Sequence, residues 1–342
     1  MIRVVLLIGC LMPFQLFAQL DLSALTVLPA DHLKQPDADP LVSVYPVRAG
    51  VFRSENGKEL ILSNGLARRS FRVLPDVACV DFTNRVSRQQ LVRAVKPEAR
   101  ITLNGKEYSI GGLLGQQEQG YLLSEWLDTL RPDPKAFHCT GFSQVPLNSS
   151  VNWKEKFWHP TGKRPPAGIH VQFQYRSAES EVQDIIVQIH YALYDGLPLF
   201  VKWVSVENKG QKPIRIDRVV NEVLALVEEE SAVVGKPEVM KKQHGLYVET
   251  NYAFNNAMRY DISDQTTHWK TDPLYTSQVN YNYETPCLLE IYPEKAPGID
   301  LQPTELFTSV RTHELLMDSY DRERRGLAIR KMYRMVAPWT MS

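Results

Sequence analysis

The chain has 342 residues, 44% of them apolar and 23% charged, which is enough to bury a large core in one or two domains and excludes a disordered chain. Its 39 lysines and arginines equal its 39 aspartates and glutamates, so no net field favours nucleic acid or an anionic membrane, and the expected partners are neutral.

Near the start, Arg3 is the only charge before an apolar run from Val4 to Phe14, and Ala18 precedes the polar switch at Gln19. Residues 1–18 read as a secretory signal peptide, which directs the chain to the periplasm or outside the cell. The run is shorter than the roughly 20 residues of a spanning helix, and no later stretch approaches that length, so no membrane span is expected. Leu7-Ile8-Gly9-Cys10 also resembles a bacterial lipoprotein cleavage box, but so few residues precede Cys10 that ordinary signal-peptide filler is the preferred reading. Cys79, Cys139 and Cys287 are odd in number and widely spaced. They define no disulfide framework and no metal-ligand spacing, and buried packing is the expectation for each.

From residue 19 to 317, period-two alternation broken by turn residues predicts a β-rich domain. Early strand signals fall at 60–63, 71–73, 78–82 and 100–103. Gly111-Gly112-Leu113-Leu114-Gly115 has no lysine or following helix and reads as a turn rather than a phosphate cradle. Ser124 to Asp128 offers a short capped helical turn, ended by Arg131-Pro132.

The clearest strand covers 170–175, with Val171, Phe173 and Tyr175 on one face and His170, Gln172 and Gln174 on the other. A second run, 187–193, ends in Tyr194-Asp195-Gly196-Leu197-Pro198, where Asp-Gly supplies the positive φ of a tight hairpin. The strand at 199–206 is apolar on both faces and is expected to be covered on both sides. After the turn at Asn208-Lys209-Gly210, residues 214–227 read as one further long strand that continues the antiparallel meander. Additional signals lie at 288–292 and 306–317. The predicted class is all-β: a large two-sheet antiparallel β-supersandwich with few short helices.

A C-terminal helix begins near Asp321, with Asp321 and Glu323 early and Arg330, Lys331 and Arg334 late, as the helix dipole favours. Ala328, Met332, Met335 and Val336 form an apolar stripe that needs a surface to pack on. Gly326 weakens this helix by about 1 kcal/mol relative to alanine. Residues 318–342 are read as a linker helix.

No chemical motif stands out. Glycoside hydrolysis needs two carboxyl groups flanking the scissile bond, and no pair declares itself. Glu228-Glu229-Glu230 reads as a solvated turn whose side chains alternate. No metal site, cofactor motif or nucleophile motif is found. Sugars bind to aromatic platforms flanked by planar polar groups. On that ground the candidate sugar-binding residues are Trp153, Trp158 and His159 in one stretch, Trp126 with Asp128, and Trp269 near Asp272.

Several stretches carry a resemblance. Ser63-Asn64-Gly65-Leu66-Ala67-Arg68-Arg69-Ser70-Phe71-Arg72, Leu91 to Ala99, Tyr191 to Pro198 and Asp321 to Leu327 resemble, in the same order, the N-terminal region of α-galactosidases of glycoside hydrolase family 36. The resemblance covers most of the chain from about residue 63 to residue 339. It implies a galactose mutarotase-like β-supersandwich that precedes a (β/α)8 barrel, with both catalytic aspartates in the barrel. Tyr333 to Thr340 resembles the linker before that barrel, so no catalytic residue is carried over.

The resemblance thus implies a non-catalytic, carbohydrate-associated module with galactosides as ligand. Its expected partner is a separately encoded barrel, or another copy of the chain in a homo-oligomer. Two alternatives remain open. One is a free-standing mutarotase-like epimerase using His170 or His190 as acid with Glu284 or Glu290 as base. The other is a plain carbohydrate-binding protein.

Overall fold

The computed structural model describes residues 20–117, 121–148, 166–230, 236–252, 265–277 and 280–336. The signal-peptide segment with Cys10 and the stretch 337–342 lie outside them. The opening strands are β1 (Gly50–Arg53), β2 (Glu59–Ser63), β3 (Ala67–Arg72), β4 (Ala78–Asn84) and β5 (Gln89–Gln90), which pair in chain order as one sheet. There follow β6 (Val92–Ala94), β7 (Ala99–Leu103), β8 (Lys106–Ile110), β9 (Leu113–Leu114) and β10 (Arg131–Pro132). Next come the long strands β11 (His138–Val145), β12 (Gly168–Arg176), β13 (Ile185–Tyr194) and β14 (Leu199–Asn208). The chain continues through β15 (Ile214–Val220), β16 (Glu222–Leu226), β17 (Leu246–Thr250), β18 (Thr267–Lys270), β19 (Leu288–Ile291), β20 (Ile299–Leu301), β21 (Leu306–Thr308), β22 (Thr312–Leu316) and the helix α1 (Arg322–Val336).

One layer is a seven-stranded antiparallel sheet in the order β11-β12-β13-β14-β22-β17, with β21 also on β14. Opposite it lie the β1–β5 sheet and two four-stranded sheets, β20-β15-β7-β8 and β18-β19-β16-β6. A single apolar core joins the layers: Phe173, Ile189, Tyr191, Phe200 and Val204 from the large sheet meet Leu62, Phe71, Phe82, Ile101, Ile216, Leu224 and Leu289 from the others. This is the two-layer, all-β architecture expected from the alternation, since each strand buries one face against the opposing layer.

The β12–β14 meander follows the predicted pattern, and Gly196 at the β13–β14 turn has φ of 69°, as the Asp-Gly hairpin requires. Both faces of β14 are buried apart from Glu207. The single strand expected at 214–227 is instead two strands that break at Asn221 and enter different sheets, while β22 and β21 take the position beside β14. Asn221 is fully buried and turns its side-chain amide to the Val310 carbonyl, which diverts the chain between the two sheets.

The helical turn at Ser124–Thr129 is a 3-10 helix whose N-cap, Leu123, offers no capping side chain. Cys79, Cys139 and Cys287 are free and buried, as expected of packing residues. Among the described residues, no helix is long and apolar enough to cross a membrane.

Helix α1 starts at a true cap, the Asp321 carboxylate accepting the Arg324 N–H at 2.7 Å. Its Ala328, Met332 and Val336 seal Ala192, Tyr194, Leu199, Val201, Leu315 and Met317 on the outer face of the large sheet. Arg324 forks onto Asp39 at 2.6 and 3.1 Å, and Lys331 donates to the Pro40 carbonyl at 2.7 Å, so the segment near residue 40 straps the helix down.

Candidate functional site

The outer face of the seven-stranded sheet is divided chemically. Cross-strand partners share a face, so the pairs His170↔Ala192, Gln172↔His190, Gln174↔Gln188, His190↔Trp203 and Gln188↔Ser205 place these side chains on one surface. The half nearer Leu199 and Leu315 is apolar and sits under α1. The half carrying Gln172, Gln174 and Gln188 is polar and only half-buried, with exposed Ser143 opposite Gln172 at its edge.

A hydrogen-bonded chain crosses this polar half. His170 Nδ1 lies 3.3 Å from the Pro146 carbonyl, His170 Nε2 lies 3.1 Å from His190 Nδ1, and His190 Nε2 lies 2.8 Å from Ser205 Oγ. Burial lowers the pKa of both rings, and the neighbouring Arg311 charge adds to it; His190, which also feels His170, is lowered to about 3. Two neutral imidazoles allow one consistent arrangement. His170 donates through Nδ1–H to Pro146, His190 donates through Nδ1–H to His170 Nε2, and the Ser205 hydroxyl donates to His190 Nε2. Gln188, 3.0 Å from Ser205 Oγ, must then turn its NH2 toward that oxygen.

Beside this chain stands a stack. Trp203 lies parallel to His190, with ring centroids 4.8 Å apart and 1° between planes, and the Arg311 guanidinium carbon lies 3.9 Å from the Trp203 ring centroid. The remaining acid on this face, Glu249, accepts hydrogen bonds from the Tyr247 and Tyr333 hydroxyls.

A second ionisable cluster occupies the core. Arg69 binds Glu314 at 2.8 Å and Glu222 at 2.9 Å, Lys202 binds Glu222 at 2.8 Å, and Glu98 accepts from the Tyr191 hydroxyl and from the Cys79 N–H. The Glu222 and Glu314 side chains are 1% and 0% exposed. Burial, then the Glu222 charge, holds the Glu314 carboxyl well above the usual range, while Arg69 and Lys202 overcome burial and lower Glu222 to about 2. These carboxyls are the paired acids of the fold, yet solvent and substrate do not reach them.

Of the residues expected to bind sugar, Trp153, Trp158 and His159 lie outside the described residues. Trp126 is half-buried and stacks on exposed Tyr121, centroids 5.7 Å apart. Asp128, two residues on, is tied to Lys58 and Arg72 at 2.7 Å each. Trp269 sits half-buried on β18, packed against the core, and Asp272 is buried on Arg93 at 2.6 Å and Lys96 at 2.9 Å, so its carboxylate is engaged by two cations. The sites expected at Trp126 and Trp269 therefore belong to different elements and form no common surface with the histidine chain.

The expected acid–base pair also fails. Glu290 is on β19, in the opposing layer, held by Arg100 and Lys270, and Glu284 lies in a loop of that same region, so neither faces His170 or His190. Glu228, Glu229 and Glu230 are half-buried anchors rather than a solvated turn. They bind the Tyr275 hydroxyl at 2.6 Å, His244 at 2.6 Å and Lys241 at 2.7 Å. Among the described residues, no three His, Cys, Asp or Glu side chains are placed to hold a metal ion.

Trp203 and Arg311 were missed because Trp203 reads as sandwich core and Arg311 falls within the single strand expected at 306–317, whereas it stands in the break between β21 and β22. The usable signal was register: the alternation that places His190 outward also places Trp203 outward.

The chain matches no protein-family model and no curated protein. Among solved structures it is similar to the family GH36 α-galactosidase AgaB from Geobacillus stearothermophilus, with a TM-score of 0.44 and 11% identity over 79% of this chain and 41% of that one. It is similar also to the galactosidase domain of the α-galactosidase-sucrose kinase AgaSK, with a TM-score of 0.41 and 10% identity over 79% of this chain and 42% of that one. A third likeness is to galactose 1-epimerase from Lactobacillus acidophilus, with a TM-score of 0.39 and 12% identity over 80% of this chain and 99% of that one. The chain thus spans about two fifths of the length of the two galactosidase chains.

Proposed function

We propose that this chain is a carbohydrate-associated β-sandwich module of an α-galactosidase-type hydrolase, which contacts sugar or a catalytic partner domain and does not itself cleave the glycosidic bond. The observation that carries the reading is the polar half of the outer sheet face. Ser143, Gln172, Gln174 and Gln188 present a neutral hydroxyl and planar amides in cross-strand register beside a neutral histidine chain. Such groups match the donor and acceptor pattern of sugar hydroxyls without asking for charge. The core acids support the non-catalytic part, since Glu222 and Glu314 are sealed and spent on Arg69. Burial, which lowers His190 to about 3, leaves that ring without the imidazolium proton a general acid would give at neutral pH, which weakens the part of the epimerase alternative that uses His190.

Titration calorimetry of the purified chain with galactose, raffinose and stachyose tests the proposal. Millimolar binding is expected, lost in the Gln172→Ala/Gln188→Ala double variant. No heat with any of the three sugars, or acceleration of galactose mutarotation by the chain, sinks it.

A further inference from the structure

We propose that Arg311, laid on Trp203 at the edge of the polar half-face, is a binding site for an oxyanion, a carboxylate or phosphate carried by a sugar-sized molecule. Arg311 differs from the other enclosed arginines. Arg68, Arg69, Arg72, Arg93, Arg100 and Arg324 each pair with a carboxylate, and Arg53, Arg85 and Arg325 donate to backbone carbonyls. The Arg311 guanidinium makes no hydrogen bond or ion pair among the described residues. Only its backbone is engaged, its N–H donating to Asn251 Oδ1 at 2.7 Å and its carbonyl accepting from the Asn251 N–H at 3.0 Å.

The geometry favours an anion for three reasons. First, the guanidinium carbon is at stacking distance from the ring, 3.9 Å from its centroid, and a stacked guanidinium keeps its N–H donors in plane, the arrangement that matches a carboxylate or phosphate edge-on. Second, the platform is rigid: Trp203 is 5% exposed and is itself stacked with His190. Third, a half-buried cation without a counter-ion is costly, and none of the described residues supplies one. Glu249 is held by two tyrosines, Glu207 is ion-paired to Lys209, and His170, His190 and Ser205 are neutral. The sugar part of the ligand rests on the function proposed above, through Gln188. The oxyanion part does not.

Calorimetry on the full chain at low salt compares galacturonate and galactose 6-phosphate with galactose, and adds acetate and inorganic phosphate as anions without a sugar. The acidic sugars are expected to bind at least tenfold more tightly than galactose, with the preference lost in 0.5 M salt and in Arg311→Gln. Equal binding of acidic and neutral sugars, or a preference that survives in Arg311→Gln, overturns the site. A shift of the Trp203 indole resonance on adding phosphate locates the anion in the unaltered chain, whatever the variant does to folding, and an unmoved resonance overturns the site too. Phosphate or acetate binding without galactose binding keeps the oxyanion site and removes the carbohydrate reading. Galactose binding without any anion effect does the reverse.

Discussion

Arg69 on β3 meets Glu314 on β22 at 2.8 Å across 245 residues of sequence, and the contact joins the two layers of the sandwich through a charge with no exposed surface. The same guanidinium binds Glu222 and lies 4.9 Å from the Phe82 ring centroid and 4.8 Å from that of Tyr191. Arg69→Met removes the cation and leaves Glu222 to Lys202 alone. Breaking one member of such a buried set costs about 3–5 kcal/mol, so the urea midpoint should fall steeply with the slope unchanged. A loss under 1 kcal/mol would show that the cluster is not a unit.

The second expectation concerns the proton on Glu314. Burial, and then the neighbouring Glu222 charge, keep the proton on the Glu314 carboxyl. The folded chain therefore holds this proton above the unfolded carboxyl value near 4.5, and the Glu314 contribution falls as pH rises beyond that value. Glu222 has the opposite sign: its stabilisation is present above 4.5 and is lost as pH falls toward about 2. Glu314→Gln keeps an acceptor for Arg69 and a donor for Glu222 without a titrating proton. Stability of the variant should match the parent near pH 5 and exceed it at pH 9, read by chemical denaturation at both values.

Little of this cluster was legible in the sequence, whereas most of the sheet was. Alternation at 170–175 and 187–193 exposes strand identity because each face has one solvent. Arg69, Lys202 and Glu314 stand at positions that the same logic assigns to the core, and a charge there reads as an exposed face until its partner is known. That partner lies in another sheet, far along the chain. The break at Asn221 was hidden for a related reason: one asparagine within an apolar run looks like a tolerated polar residue, and only its buried bond to the Val310 carbonyl shows that it redirects the chain. The outer-face stack was half legible, His170 and His190 from their alternation and Arg311 not at all.

Acid sensitivity should come from the histidines. His190 is lowered to about 3 and His313 to about 4, both chiefly by burial, against an ordinary value of 6.5. The unfolded chain takes up protons below pH 6.5 that the folded chain refuses, so stability falls as pH drops from 6.5 toward 4. Each ring contributes up to about 1.4 kcal/mol per pH unit. His190→Asn should flatten this slope between pH 6.5 and 4, measured by urea midpoints at half-unit intervals. An unchanged slope would assign the acid loss elsewhere.

Helix α1 carries Gly326 in its interior, where an added Cβ would meet nothing nearer than the Arg330 Nη1 at 3.3 Å, the far end of a flexible side chain. Gly326→Ala should raise stability by about 0.5–1 kcal/mol through helix propensity and the lost freedom of the unfolded chain. A drop in melting temperature would mean that Arg330 cannot move aside.

Two of the stretches that carry the resemblance, 63–72 and 191–198, meet through one side chain. Asn64, fully buried within Ser63-Asn64-Gly65-Leu66, accepts the Leu66 and Ala67 N–H groups at 3.0 and 2.8 Å. It donates to the Tyr194 and Leu197 carbonyls at 2.6 and 2.8 Å, within Tyr194-Asp195-Gly196-Leu197-Pro198. One side chain with all four hydrogen-bonding positions used thus pins a turn of the first sheet to the hairpin of the large sheet. Asp195 adds a second tie by accepting the Ala49 N–H at 2.7 Å. These two turns therefore serve the docking of the layers. Asn64→Ala would strand two carbonyls and two N–H groups in the interior at about 1–3 kcal/mol apiece before relaxation. A net loss of about 3–5 kcal/mol is expected, with faster hydrogen exchange at Leu66, Ala67 and the β13–β14 turn together. Exchange that rises at only one of the two turns would show that they are stabilised independently.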